Sequence, residues 1–131
     1  MDFRIEVNSS KDFTYINVYD TKNERVGKLG IEFTGEYQRY SKWCNGDKIA
    51  KIIYVVTNIS ACGNGIATAM LNKAIEIFPD YNLYLNVVPM PRDGEAINHR
   101  SVRGLMNFYE KFGFIKCDDD VCMTTMIRKA E

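Results

Sequence analysis

The sequence predicts a mixed α/β fold, with helices packed on a largely antiparallel sheet that has one parallel βαβ unit at its centre. Three observations predict it. The first third alternates apolar and polar residues with period two. A continuous apolar run, Ile52-Ile53-Tyr54-Val55-Val56, is followed by apolar residues at helical spacing, and a second apolar strand then leads into a second amphipathic stretch.

Taken in order, Phe3, Ile5 and Val7 alternate with Arg4, Glu6 and Asn8, so one face of the first strand is apolar. Phe13 to Tyr19 is rich in aromatic and β-branched residues, and Asp20-Thr21-Lys22-Asn23 is a turn signal. Val26 to Phe33 then places Leu29, Ile31 and Phe33 on one face. These three segments read as an antiparallel meander, with Gly27 and Gly30 as candidate bulge positions. Residues 34–48 have no clear period. Their Tyr37, Tyr40 and Trp43 suit either a pocket wall or a cap on the core. Ile49 to Thr57 is the fourth strand. Ala67, Met70, Leu71, Ala74, Ile75 and Phe78 form a helical stripe ended by Pro79-Asp80. Leu83 to Val88 is the fifth strand, stopped by Pro89 and Pro91. Val102, Leu105, Met106 and Tyr109 mark the last helix, with Gly113 as its C-terminal stop. Phe114 to Cys117 and Val121 to Arg128 are the final strands, joined at Asp118-Asp119-Asp120. The fourth and fifth strands, with a helix between them, are expected to be parallel.

The chain has 131 residues, which fits one domain over 1–131. Lys plus Arg and Asp plus Glu both number 17. That balance excludes a protein devoted to neutralising a nucleic-acid backbone, and also a polybasic membrane anchor. No apolar run reaches the ~20 residues that span a bilayer, and residues 1–7 contain no signal-peptide core, so a cytoplasmic protein is expected. Cys44, Cys62, Cys117 and Cys122 are then reduced thiols. Their spacing and the single His99 give no metal site, so no metal is expected.

The most informative stretch is Ser60-Ala61-Cys62-Gly63-Asn64-Gly65-Ile66-Ala67-Thr68, between a buried strand and a helix start. There, unpaired amides and the helix dipole favour an anion, and glycines permit both close approach and positive φ. No Gly-Lys-Ser/Thr follows, which excludes a Walker A loop. A dinucleotide fingerprint read from Gly63 meets Thr68 in its third place, and the next strand ends in Asn86-Val87-Val88-Pro89 without the acidic residue. On the glycines alone, a tight turn explains the loop as well as a pyrophosphate site does.

Gly63 to Leu71 together with Phe108-Tyr109-Glu110-Lys111-Phe112-Gly113-Phe114 resembles the GCN5-related N-acetyltransferase (GNAT) superfamily. Its pyrophosphate loop, [QR]-x-x-G-x-[GA], aligns with Cys62 to Ala67. Its later Y-E-K-x-G-F signature is matched at every place by Tyr109 to Phe114. The resemblance covers about residues 49–128. Cys62 stands where the family has Gln or Arg, and three strands come in succession with only the irregular 34–48 segment in place of the two helices that usually follow the first strand.

The resemblance implies the acyl-CoA N-acyltransferase fold, with a V-shaped opening between strands 4 and 5, and an N-acetyltransferase that moves an acetyl group from acetyl-CoA to a primary amine. Carried over, Val55, Val56 and Thr57 line the pantetheine arm. Cys62, Gly63, Asn64, Gly65, Ile66 and Ala67 hold the pyrophosphate, and Tyr109 protonates the departing thiolate. Asn98 matches a CoA-contacting Asn, with Ser101 competing for that place, and Arg100 and Arg103 are candidates for CoA phosphates. The alternative for Tyr109 is a ring packed in the core beside Leu105. For the chain as a whole, the alternative is a catalytically silent CoA-binding or protein-interaction module. Glu32, Glu36 and Asp47 flank the expected acceptor cleft but read equally as solvated carboxylates, and the amine acceptor is not specified. Edge strands in small domains of this kind can pair between subunits, which leaves a homodimer open.

Overall fold

The computed structural model describes residues 1–33, 37–87, 102–117 and 124–131. The alternating N-terminal segments form β1 (Phe3–Ser9), β2 (Phe13–Asp20) and β3 (Arg25–Glu32), an antiparallel meander as expected. Both glycines of β3 lie at irregularities. The β2–β3 register shifts at Val18/Tyr19, opposite Gly27, and the β3–β4 register shifts between Gly30 and Ile31. Each glycine also admits a close neighbour. A Cβ on Gly27 would stand 2.6 Å from Ile66 Cγ2, and one on Gly30 would stand 2.8 Å from the Tyr54 ring.

Residues 37–43 are not irregular. They form a one-turn helix α1 (Tyr37–Tyr40) and a 3-10 turn (Ser41–Trp43). Tyr40 is buried against Tyr84, with ring centroids 4.7 Å apart. Trp43 and Tyr37 pack on the same cluster with Ile49, Cys117 and Ile127. The three aromatic residues therefore cap the core, and the protein-interaction reading that needs them as an exposed patch fails for Tyr40, which is 2% exposed.

The chain continues through β4 (Ile49–Thr57), α2 (Ile66–Ile77), β5 (Asn82–Asn86), α3 (Val102–Glu110), β6 (Ile115–Lys116) and β7 (Thr125–Arg128). The strands make one sheet in the order β1-β2-β3-β4-β5-β7-β6, antiparallel except for β4–β5. α2 presents Ile66, Met70, Leu71 and Ala74 to Ile16, Val18, Leu29, Ile31 and Ile52. Leu105, Met106 and Phe108 of α3 join the same core. Of the last strands the described residues hold β6, two residues long, and β7 from Thr125, and Val121 to Met123 lie outside the described residues. The Asp118-Asp119-Asp120 turn and Cys122 lie outside the described residues. Cys44 and Cys62 are half-buried free thiols and Cys117 is a buried one.

One feature of the sheet positions everything else. β4 pairs with β5 only at Ile49↔Asn82, Ala50↔Leu83 and Lys51↔Tyr84. β4 runs on to Thr57, held by β3 along one edge with Ile53 as the extra residue of the bulge, while β5 runs on to Asn86, held by β7. The two parallel neighbours are thus paired at one end and parted at the other.

Candidate active site

The paired end is clamped by Asn82, which is fully buried. Its Nδ2 donates to the carbonyls of Asn45 and Lys48 at 2.8 Å each, and its Oδ1 accepts from the amides of Asn45 (2.9 Å) and Ala130 (2.8 Å). Every hydrogen-bonding site of that side chain is used. Asp47 lies in the loop this clamp holds, at the paired end of the strands and away from their opening. Glu32 sits opposite Lys51 where the strands are still joined. Glu36 falls outside the described residues.

Beyond the parting lies a cleft of about 460 Å³. Val55 and Thr57 of β4 form one wall, residues 61–63 and 65–68 a second, and Gly104, Leu105, Phe108 and Tyr109 of α3 the third. The bulge sets which β4 side chains face it. One extra residue at Ile53 restores Val55 and Thr57 to the face of Ile52, so alternation carries Val56 to the opposite side. Of the three β4 residues expected along the arm, Val55 and Thr57 reach the cleft with their side chains and Val56 does not. Tyr54 shares the outer face with Val56, and burial pushes its phenol above the usual range, with Tyr15 adding to the effect.

The glycine turn has the conformation that anion binding by amides requires. Gly63 (φ 83°) and Gly65 (φ 75°) are left-handed, and a Cβ on either meets nothing within 4 Å. Gly65 is the N-cap of α2, and no side chain caps it. The amides of the first turn are thus the orphan donors of a helix start, facing a cleft with the positive end of the dipole behind them. Cys62 and Ala67 line the cleft with Ile66. Cys62 Sγ donates to Asn58 O at 3.3 Å. Asn64 is not among the lining residues. Its Nδ2 donates to Ala61 O at 2.9 Å, bracing the turn from within.

Tyr109 lies across the cleft. Its ring meets Phe108 (5.4 Å, 66°) and Phe114 (5.8 Å, 65°) edge to face. Helical spacing brings Leu105 and Tyr109 to one face, so the residue packs against the core and lines the cleft at once. Sequence reasoning named Tyr109 but missed Leu105 and Phe108 as cleft residues, although the same spacing pointed to them. Asn98, Ser101, His99 and Arg100 lie outside the described residues, and Arg103 is exposed on the first turn of α3. Among the described residues no group of three or more His, Cys, Asp or Glu could hold a metal ion, and no helix is long and apolar enough to cross a membrane.

A mixed sheet whose parallel fourth and fifth strands part midway, beside a helix that starts at a glycine turn, defines the acyl-CoA N-acyltransferase fold. It is the fold of the GNAT acetyltransferases, and solved structures bear this out. The chain is similar over 92% of its length to NAA60 of Arabidopsis thaliana, solved with a bisubstrate analogue (TM-score 0.63, 13% identity, 77% of that chain). Over 92% it is similar to the histone acetyltransferase HPA2 and related acetyltransferase of Corynebacterium glutamicum (0.62, 19%, 66% of that chain). Over 91% it is similar to an acetyltransferase of the GNAT family from Staphylococcus aureus (0.62, 12%, 68%). The chain thus spans about two thirds of the length of the two bacterial proteins. No protein-family model matches the chain, and no curated protein matches it in sequence. At such identities the likeness is one of fold.

Proposed function

We propose that this chain is an N-acetyltransferase, one domain over residues 1–131, which transfers the acetyl group of acetyl-CoA to a primary amine. The observation that carries this reading is the parting of β4 from β5 after Lys51↔Tyr84, with the glycine turn and Tyr109 lining the cleft beyond it. The residues present fit the cosubstrate. The turn offers amides that no side chain caps, with Gly63 and Gly65 leaving room for close approach, which suits a pyrophosphate, and the wall at Val55 and Thr57 offers a strand edge unpaired among the described residues, which suits an amide-bearing arm.

When bound, acetyl-CoA supplies an acyl group already activated as a thioester. The chain's residues do the rest. Amides of residues 62–67 hold the diphosphate, while Cys62 contributes no charge where the family has Gln or Arg. The free edge of β4 orients the arm, with Val56 contributing its main chain alone. Amides of that edge, fixed in place by β3, donate to the carbonyl oxygen as negative charge develops there. Tyr109 holds the proton that the leaving sulfur takes up. An ordinary phenol, with a pKa near ~10, is protonated at neutral pH and suited to that step. Asn98 is proposed to contact the cofactor from the segment before α3. Nucleic acid has no place in this reading, because the chain's charges cancel.

The test is a thermal-shift titration with acetyl-CoA and with free CoA. A ligand at one hundred times its Kd stabilises the native state by about 2.7 kcal/mol. No shift with either compound sinks the proposal. Turnover is then measured over a panel of polyamines, aminoglycosides and peptides with free N-termini or lysines. Binding without turnover over the whole panel would favour the silent CoA-binding module instead.

A further inference from the structure

We propose that Arg128 is a positioning residue for Tyr109, holding the turn after α3 so that the phenol stays against the cleft. The inference rests on the reading of Tyr109 as the acid. Arg128 closes β7 on the helix side of the sheet, two residues from the core side chain Met126. Its Nε donates to Phe112 O at 2.7 Å and its Nη2 to Glu131 Oε1 at 2.9 Å. Its stem lies along Gly113, where a Cβ would stand 3.5 Å from Nε.

The bonded carbonyl belongs to the turn that closes on Tyr109. Phe112 N donates to Tyr109 O at 2.9 Å and Gly113 N to Glu110 O at 3.1 Å. Arg128 takes the carbonyl of Phe112, the residue whose amide closes on Tyr109. It therefore fixes the turn from outside and brings a positive charge to the end of α3 where the helix dipole favours one. The side chain is only 16% exposed, and its buried Nη1 has no partner among the described residues. A stranded donor is costly, and a residue serving packing alone would avoid it, as methionine does. What the guanidinium adds to packing is the bond to Phe112 O and the pair with the exposed Glu131, and only the first of these reaches the turn after α3.

The test needs no acceptor at the outset. The 13Cζ resonances of the eight tyrosines are recorded for the full chain, Tyr109 being assigned from Tyr109→Phe. Arg128→Met should move the Tyr109 resonance and leave Tyr15 and Tyr54, on the opposite sheet face, in place. Arg128→Lys, which still donates one bond, should fall between. With an active acceptor, Arg128→Met should lower kcat on the order of 10- to 100-fold, leave KM for acetyl-CoA unchanged, and have little further effect in the Tyr109→Phe background. An unmoved Tyr109 resonance, or an equal loss of kcat in both backgrounds, overturns the positioning role alone. Wild-type kcat for Tyr109→Phe overturns the acid role instead, a separate result. If Arg128→Met does not fold, judged by its CoA thermal shift, Arg128→Lys takes its place, and an unmoved Tyr109 resonance in that variant overturns the positioning role in the same way.

Discussion

The two ends of the β4–β5 pair are built from opposite materials. At the closed end, three residue pairs and the four hydrogen bonds of Asn82 leave no polar group of that side chain unmet. At the open end the described residues of the same strands do not pair with each other, and no side chain caps the helix start beside them. Unsatisfied backbone groups are ordinarily a liability. Here they sit where a ligand can satisfy them, and the clamp at the other end keeps the separation fixed. Rigidity at one end permits unpaired groups at the other.

The largest expected effect is chemical and belongs to the open end. Tyr109→Phe should lower kcat on the order of 10²- to 10⁴-fold, the usual worth of a general acid, with CoA binding retained in a thermal-shift assay. Wild-type turnover by that variant would remove Tyr109 from the chemistry. Next comes the clamp. Asn82→Ala takes the partner from the buried amide of Ala130, the part-buried amide of Asn45 and the carbonyls of Asn45 and Lys48, and should cost about 3 kcal/mol, lowering Tm by roughly 10 °C for a chain of this size. A drop of a degree or two would mean that the closed end is held by strand pairing alone.

Gly27→Ala sharpens the comparison at the level of Thr57. The added methyl meets Ile66 Cγ2 at 2.6 Å and Met70 Cε at 3.2 Å, so α2 must shift away from β3. The expected cost is about 1–3 kcal/mol, together with weaker CoA binding in a titration; unchanged affinity would separate the seat of α2 from the cleft. Cys62→Arg restores a charge at the mouth of the turn. It should tighten CoA binding by up to about tenfold, and the gain should shrink as salt is added.

The smallest effect is at the closed end again. Lys48 and Asp80 bridge the starts of β4 and β5 at 2.8 Å. Their hydrogen bond lowers the Asp80 pKa and raises that of Lys48. The Asp80 contribution is therefore present above its unfolded pKa and lost as pH falls through the lowered folded value. The Lys48 contribution is present below its own unfolded pKa and lost as pH rises through the raised one. Both groups are exposed, so Lys48→Ala should leave Tm at neutral pH nearly unchanged. A shift matching that of Asn82→Ala would show that the clamp depends on the ion pair.

Much of the fold was legible because burial leaves a periodic mark. Alternation in 3–7 and the aromatic and β-branched content of 13–19 marked β1 and β2, the stripe from Ala67 to Phe78 marked α2, and the continuous run Ile52–Val56 marked the strand at the centre. Residues 37–43 escaped because a helix of one turn is too short to show a period, and its aromatic residues serve a cap rather than a face. The glycine turn and Tyr109 were legible as local motifs. Which of Val55, Val56 and Thr57 turn a side chain to the cleft was not legible, because a linear pattern cannot see a bulge. Asn82 and Arg128 were invisible for a different reason: their partners lie 34 to 48 and 16 residues away.

The sequence by itself determined the main strands and helices and the glycines at the helix start, because each leaves a local pattern, and the parallel central unit, because a strand-helix-strand order admits few connections. Only the tertiary structure decided where β4 and β5 part company, which side chains of β4 meet the cleft, and that a strand-end arginine reaches the turn beyond Tyr109. Those outcomes depend on register and on side chains arriving from distant segments, and a linear pattern carries no record of either.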